Sequence, residues 1–423
     1  MEKQTKATIR LPQAIALYIG AVLGSGLLIV PGLAAQIAGP ASLMDWGALM
    51  ILAIPLAMCM AYLAQRYPGP GGVSYFVTLA FGRRAGYLIG WFFLMSVPIG
   101  APVAALTGAG YVCEALRIPD ALKVPIAASV LLSALLMNHI GMSLAGKVQI
   151  AVVSGLVAIL ILALIGAVPH IRVTNFEPFM PHGIRGIGAA STLLFWCFIG
   201  WEAVSHLSGE FVNPEKDVAR ATLISAILIG VLYFVNAVAI VGTNSYQIQS
   251  QAALVVVARQ SFGQIGALLV GVSSLLICLA TVITYIGAAA RLAQSLSNQG
   301  HAPKGFGKLS SKHQTPTGGL IFLGFCFFLV LVLYGTHVLS LAQLIQLPNA
   351  TFLINYLGGC AAGVVLFRKS RKKWLVSLIS LASTAFMCLF LSWSIVYPIA
   401  ITLFVLASEQ AKKVWHSQTT GKE

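Results

Sequence analysis

Charge is scarce in this sequence: only 9 % of its 423 residues are Asp, Glu, Lys or Arg, whereas soluble globular domains carry about 25 %. Acidic residues are the scarcer kind, 11 against 26 Lys and Arg. Seven cysteines are scattered mostly through apolar stretches and none makes a C-x-x-C, so they read as small buried hydrophobes, not as disulfides or metal ligands. Clustered nucleophile, base or metal-binding residues are also lacking, which argues against an enzyme and calls for no metal or cofactor. What remains is apolar. With 58 % hydrophobic residues and a mean hydropathy of +0.89, the chain reads as an all-α membrane protein.

The net charge of +15 would suggest nucleic acid in a soluble protein. Here the position of the charges gives another answer. All but five of the 26 Lys and Arg, the exceptions being Arg117, Lys123, Arg172, Arg185 and Arg259, fall at the two termini and in or beside alternate loops. That bias marks a cytoplasmic face, so both termini are expected in the cytoplasm and no nucleic-acid partner is expected. The first apolar run, Leu11–Ala38, is too long for a signal-peptide core and is expected to be retained.

Taken in order, apolar segments are predicted at 11–38, 42–64, 86–112, 121–140, 145–168, 186–211, 221–243, 262–296, 318–334 and 337–367, with two short ones sharing 374–408 and turning near Ser392–Ser394. That makes twelve spans. Pro98 and Pro102 should kink the third. The P-G-P-G-G run at Pro68–Gly72 lacks the Lys-Ser/Thr of a phosphate cradle and reads as a cytoplasmic turn. His170 and His182 read as loop residues, and R-K-S-R-K-K at Arg368–Lys373 as an anchor to the lipid surface.

Two spans look broken. The first holds Gly24-Ser25-Gly26 at its middle and Pro31 beyond, residues that cost about 1 and 3 kcal/mol against alanine in a helix. A break in hydrocarbon survives only where it is buried in protein or lines a polar cavity. Small residues also let helices pack closely, so the motif read alone fits packing as well as a ligand site. The sixth span, G-I-G-A-A-S-T-L-L-F-W-C-F-I-G-W-E-A-V-S-H-L-S-G-E-F, begins about 175 residues after the first and holds Glu202 near its centre. His206 and Glu210 follow at four-residue intervals, on the same face of a helix. Corresponding interrupted spans in two halves point to a transporter's central site. Each opens a block of five spans, and five is odd, so the blocks 11–169 and 186–367 form an inverted repeat, with two helices appended at 374–409, in one transmembrane domain. A half-helix starting after Gly26 presents N–H groups and a positive dipole end, which suits a carboxylate. Half-helices ending at the breaks present carbonyls, which suit an ammonium. A free amino acid has both, and spans 3, 8 and 10 offer mainly apolar and small residues for its side chain.

At G-A-V-L-G-S-G (Gly20–Gly26), F-W-C-F-I-G-W-E (Phe195–Glu202), E-F-V-N-P-E-K-D (Glu210–Asp217) and A-A-R-L-A-Q-S-L-S-N-Q-G-H-A-P-K (Ala289–Lys304), the chain resembles the amino acid–polyamine–organocation transporter superfamily. The sixth-span stretch and G-G-V-S-Y-F-V-T-L-A-F-G (Gly71–Gly82) look most like bacterial exporters of methionine and branched-chain amino acids. The resemblance implies twelve helices with helices 1 and 6 discontinuous, a site in the bacterial inner membrane and a proton as coupling ion. It implies that Gly24, Ser25 and Gly26 form the site, the last two holding the substrate carboxylate. The carbonyls of Val22, Trp196 and Ile199 would take the ammonium, and the Trp196 ring would act as a gate; without the family it reads as packing. Many relatives carry a lysine midway along span 5, and Ala151–Leu156 has none; Lys147, nearer the cytoplasmic end, reads as an interfacial anchor. Glu202 is then the candidate for proton coupling, against the alternative of a neutral carboxyl hydrogen-bonded to the broken backbone of spans 1 or 7. His206 and Glu210 either extend a relay or pair with each other in a vestibule. The expected function is export of neutral apolar amino acids. The alternatives are a carrier of basic amino acids or polyamines with the same fold, and a non-transporting sensor or partner subunit.

Overall fold

Two backbone interruptions organise the architecture, and each rests on a glycine in a conformation that side chains resist. At the first, Gly24 adopts φ 33° and ψ −146° between helix α1 (Leu11–Leu23) and helix α2 (Gly26–Ala38). At the second, helix α8 (Gly183–Leu194) tightens into a 3-10 turn, Phe195–Phe198, then opens at Ile199, which is extended, and Gly200, with φ 120°. Positive φ is nearly free for glycine and costs other residues about 1–2 kcal/mol. Pro31 does not contribute to the break; α2 runs through it.

The computed structural model describes residues 10–67, 72–141, 146–202, 211–247 and 252–420. Among them are fourteen α-helices and no β-strand. Beyond the three helices named, these are α3 (Ser42–Arg66), α4 (Gly72–Phe81), α5 (Arg83–Leu116), α6 (Lys123–Ile140), α7 (Gly146–Ala167) and α9 (Pro214–Gly242). They continue with α10 (Ala253–Asn298), α11 (Thr317–Gly335), α12 (Leu341–Leu366), α13 (Arg371–Cys388) and α14 (Val396–Thr420). Seven apolar helical stretches among the described residues are long enough to cross a membrane; α13 and α14, bent by 110° to one another, make an eighth if taken as one. Shorter apolar helices include Leu11–Gly20 and Gly183–Phe198. Length alone thus gives seven or eight spans among the described residues, and helices such as Leu11–Gly20 and Gly183–Phe198 are too short to count. Exposed Leu, Ile, Val and Phe stud α6, α10, α11 and α14, as expected where lipid, not water, is the solvent.

Three elements depart from the sequence expectation. The stretch between the second and third spans is not merely a turn; it holds helix α4, pressed so closely to α5 that a Cβ on Gly86 would lie 1.8 Å from Thr78 Oγ1. Pro98 and Pro102 both sit inside one continuous helix, α5. The eighth span starts earlier than read: α10 kinks at Phe262 (φ −130°, ψ 16°) and Gly263 (φ 62°, ψ −152°), and a further helical segment precedes the kink. Arg259, on that segment, is tied to the end of α5 by an ion pair, Nη1 to Glu114 Oε1 at 2.6 Å, and by a second bond to the Glu114 carbonyl.

α5 and α10 cross at close quarters. Cβ atoms built on Gly108 and Gly271 would fall 3.0 Å from Cys278 Cβ and 2.5 Å from Ala115 Cβ respectively, the small-residue contact by which membrane helices gain packing in the absence of a hydrophobic drive. Their shared flank forms one wall of the space around the two interruptions.

Candidate functional site

A broken helix must be braced, since its unpaired peptide groups cost several kcal/mol each when buried in an apolar medium. α9 supplies much of the brace for the first break. Tyr233 donates its hydroxyl to the carbonyls of Val22 and Leu23, both at 3.2 Å, and Asn236 Nδ2 donates to the Leu27 carbonyl at 3.0 Å. From α5, the Tyr111 hydroxyl donates to the Leu28 carbonyl. α2 itself begins with Leu28 and Ile29 donating to the Ser25 carbonyl at 3.2 Å. The N–H groups of Ser25, Gly26 and Leu27 therefore precede the first bonds of that ladder, the arrangement that favours an anion.

The second break is braced from α12. The Tyr356 hydroxyl accepts from the N–H groups of Gly200 (3.2 Å) and Trp201 (3.1 Å) and donates to Glu202 Oε2. Glu202 Oε2 also accepts from Gly200 N–H at 3.0 Å. The carboxyl is thus bonded to the broken backbone of its own span. Behind both breaks, Trp46 stacks on Tyr233 with centroids 5.2 Å apart, and Phe198 lies 5.7 Å from the same ring. A Cβ on Gly26 would meet Cys197 Cα at 3.1 Å, so the two interruptions touch and only glycine fits between them.

A cavity of about 50 Å³ lies where they meet, room for a few waters. Val22, Gly24, Ser25, Gly26, Trp196 and Ile199 all line it, so every residue singled out as substrate-binding falls on one space. The rest of the wall comes from Ser96, Val97, Gly100, Ala101 and Ala104 of α5, Thr281, Val282 and Tyr285 of α10, and Phe352 of α12. Among the described residues, no lining side chain carries a charge. Trp196 is half-buried, 6.4 Å from the Phe352 ring at 76°, and its Cη2 stands 3.2 Å from where a Cβ on Gly100 would be.

Other candidates fall elsewhere. Glu202 is buried one step behind the cavity wall. His206 and Glu210 lie outside the described residues, as do residues 68–71 of the Pro-Gly run and the side chain of Lys147. His170 closes a 3-10 turn and His182 precedes α8, both exposed. Among the described residues no group of three His, Cys, Asp or Glu could hold a metal. Sequence reasoning did not find Tyr233, Asn236 or Tyr356, because a single hydroxyl or amide in an apolar helix is a weak signal. It also passed over Asp45, buried in the first turn of α3, although any ionisable residue inside a span is a marker of function.

With that geometry in view, the comparisons with known proteins are consistent with it. The amino acid permease family pattern matches residues 9–408. The chain is 35 % identical over 387 residues to the amino acid permease YecA of Bacillus subtilis (strain 168), covering 91 % of each chain. It is also 35 % identical over 371 residues to the L-methionine/branched-chain amino acid exporter YjeH of Escherichia coli (strain K12), covering 86 % of this chain and 87 % of that one. The branched-chain amino acid permease BcaP of Bacillus subtilis (strain 168) is 24 % identical over 386 residues, covering 86 % of this chain and 80 % of the other. A multi-pass membrane protein matched almost from end to end in this way belongs to the amino acid permease family.

Proposed function

We propose that this permease is a secondary transporter that exports neutral, apolar L-amino acids such as methionine, leucine, isoleucine and valine across the bacterial inner membrane in exchange for protons. The observation that carries the reading is the cavity between two helix breaks, whose wall among the described residues holds no charged side chain. Backbone N–H groups at Ser25 and Gly26 bind the substrate carboxylate, and the carbonyls of Val22, Trp196 and Ile199 bind its ammonium. Trp196 closes over the site. The substrate side chain lies against Gly100, Ala101 and Ala104. The exporter YjeH, by its name a carrier of methionine and branched-chain amino acids, supports the same substrate class.

In this reading twelve spans form an inverted repeat, residues 11–169 against 186–367, with 374–409 appended and both termini in the cytoplasm. The Gly39 end of α2 then faces outside. Glu202 is the proton carrier, and its bonds to Gly200 N–H and the Tyr356 hydroxyl couple its protonation to the shape of the second break.

Counterflow in proteoliposomes against a panel of labelled amino acids tests the proposal. Exchange of methionine, leucine, isoleucine and valine is expected. Exchange of arginine or lysine alone would overturn the substrate class, and a basic substrate would also need an acidic wall. Glu114, at the end of α5, is paired with Arg259 and does not line the cavity. Movement of any substrate by the purified chain excludes a role as mere sensor or partner subunit.

A further inference from the structure

Asp45 is a second carboxyl group held within the apolar body of the protein. It is 4 % exposed. Its Oδ1 accepts a hydrogen bond from Ser191 Oγ of α8 at 2.6 Å, while its buried Oδ2 has no hydrogen-bond partner. No cation stands opposite: neither ion pair among the described residues includes it. α2 and the turn Gly39–Ala41 carry no titratable side chain, and α8 carries only Arg185, which is exposed. The charged residues of α9 (Glu215, Lys216, Asp217, Arg220) belong to the far end of α3, where Gln65 meets the Glu215 carbonyl; its Tyr233 lies on Trp46. α12 brings Tyr356, bonded to Glu202, and Cys360. α13 brings Arg371, Lys372 and Lys373, the last over the Tyr62 ring, and Cys388.

Neither protonation state of Asp45 is fully satisfied by this packing. Ionised, it carries a buried charge that costs several kcal/mol, against which one hydroxyl donor and the first turn of a helix return only part. Protonated, it presents an O–H at an oxygen with no acceptor beside it, which leaves a buried donor unsatisfied. A proton source is close. A groove of about 660 Å³, lined by Gln36, Gly39, Pro40 and the exposed Glu177 and His182, opens at the turn that leads into α3. Asp45 follows Pro40 by five residues, about 8 Å along a helix.

What Asp45 holds is the half-helix that ends at the second break. Ser191 bonds the carboxylate, and the next residue, Thr192, has its carbonyl bonded by Asn349 Nδ2 of α12. Resting on the proton-exchange reading above, we propose that Asp45 is a second proton-exchange site, at the Gly39 end of the bundle, and that its protonation sets the seat of α8 through Ser191. Groove water delivers the proton to Oδ2, and loss of the carboxylate's charge weakens its hold on the Ser191 hydroxyl. α8 can then move, and with it Trp196 and Ile199.

The test uses the full chain in proteoliposomes, with labelled leucine counterflow at matched pH from pH 5 to 8 and accumulation driven by an imposed pH gradient. Wild type is expected to show pH-dependent counterflow. Asp45→Asn should flatten that dependence and cut gradient-driven accumulation about ten-fold. Ser191→Ala, which leaves both carboxyl groups in place, should displace the pH midpoint by about one unit, since only the Asp45 bond is lost. An Asp45→Asn profile like wild type overturns the proposal; so does a Ser191→Ala profile superimposed on wild type, which decides the matter if Asp45→Asn fails to fold. Wild-type leucine counterflow with no pH dependence overturns Asp45 together with proton exchange and leaves transport standing. A wild type that moves no neutral amino acid overturns the function itself.

Discussion

Tyr356 and Glu202 share one small network in which every donor has an acceptor: two peptide N–H groups, a phenol and a carboxyl close on one another around Gly200. Glu202→Gln preserves the shape and leaves an amide oxygen for Gly200, yet cannot titrate. Leucine accumulation driven by a pH gradient in proteoliposomes should fall about ten-fold, with counterflow at matched pH retained; accumulation equal to wild type would remove Glu202 from the proton path. Gly100 offers a size test. A methyl group there would press on Trp196 Cη2 at 3.2 Å, so Gly100→Ala should weaken methionine and leucine relative to alanine by about 10-fold in KM, the low end of the discrimination one methylene gives in an apolar pocket. Of the six cavity residues, Gly24, Ser25 and Gly26 were legible as a break in an apolar run, whereas Val22, Trp196 and Ile199 came only from the resemblance to a transporter family. Asp45 was overshadowed by Glu202, being near the end of its span and not its centre. The aromatic and amide braces carry no pattern of their own; only the fold shows what they reach.

At the scale of helices, Gly24 separates two possible causes of a break. Its surroundings leave room, the nearest atoms to a built Cβ being those of Thr281 at 3.7 Å, while its φ of 33° does not suit a side chain. Gly24→Ala should therefore destabilise through the backbone alone, by about 1–2 kcal/mol in thermal or denaturant unfolding in detergent. A loss above 4 kcal/mol would point to packing instead. Gly26 has the opposite constraint, an ordinary helical backbone with Cys197 and the Tyr233 hydroxyl in the way. Both breaks were readable because hydrocarbon makes an interrupted helix costly, so glycine in mid-span carries information. The kink at Phe262–Gly263 was less so, since a lone glycine between apolar stretches reads as well for a loop as for a bend. Helix α4 was hidden by its brevity and by the proline-rich run before it.

Over the whole molecule, composition alone gave the membrane, and alternation of basic loops gave an expected orientation. Span counting by length gave seven or eight among the described residues, since such a rule passes over helices as short as Leu11–Gly20 and Gly183–Phe198. The ion pair between Arg259 and Glu114 is a long-range tie that no local pattern announces, linking residues 145 positions apart. Its side chains are 20 % and 24 % exposed, between the surface and buried regimes. Arg259→Gln should lower unfolding stability by about 1–3 kcal/mol in detergent, and adding Glu114→Gln should restore part of it because no lone charge then remains. A double variant as unstable as the sum of the singles would argue against any direct coupling.

The close crossing of α5 and α10 carries a mechanical consequence. Gly108 and Gly271 bring two long helices nearly backbone to backbone, and the Arg259–Glu114 tie rivets them again at one tip. Helices joined in this way act as a single girder, with too little slack to bend separately. If transport moves helices, whatever swings must swing past that girder, and the cracked rods of α1–α2 and α8 would be the jaws and the cavity's α5–α10 wall the anvil they close upon.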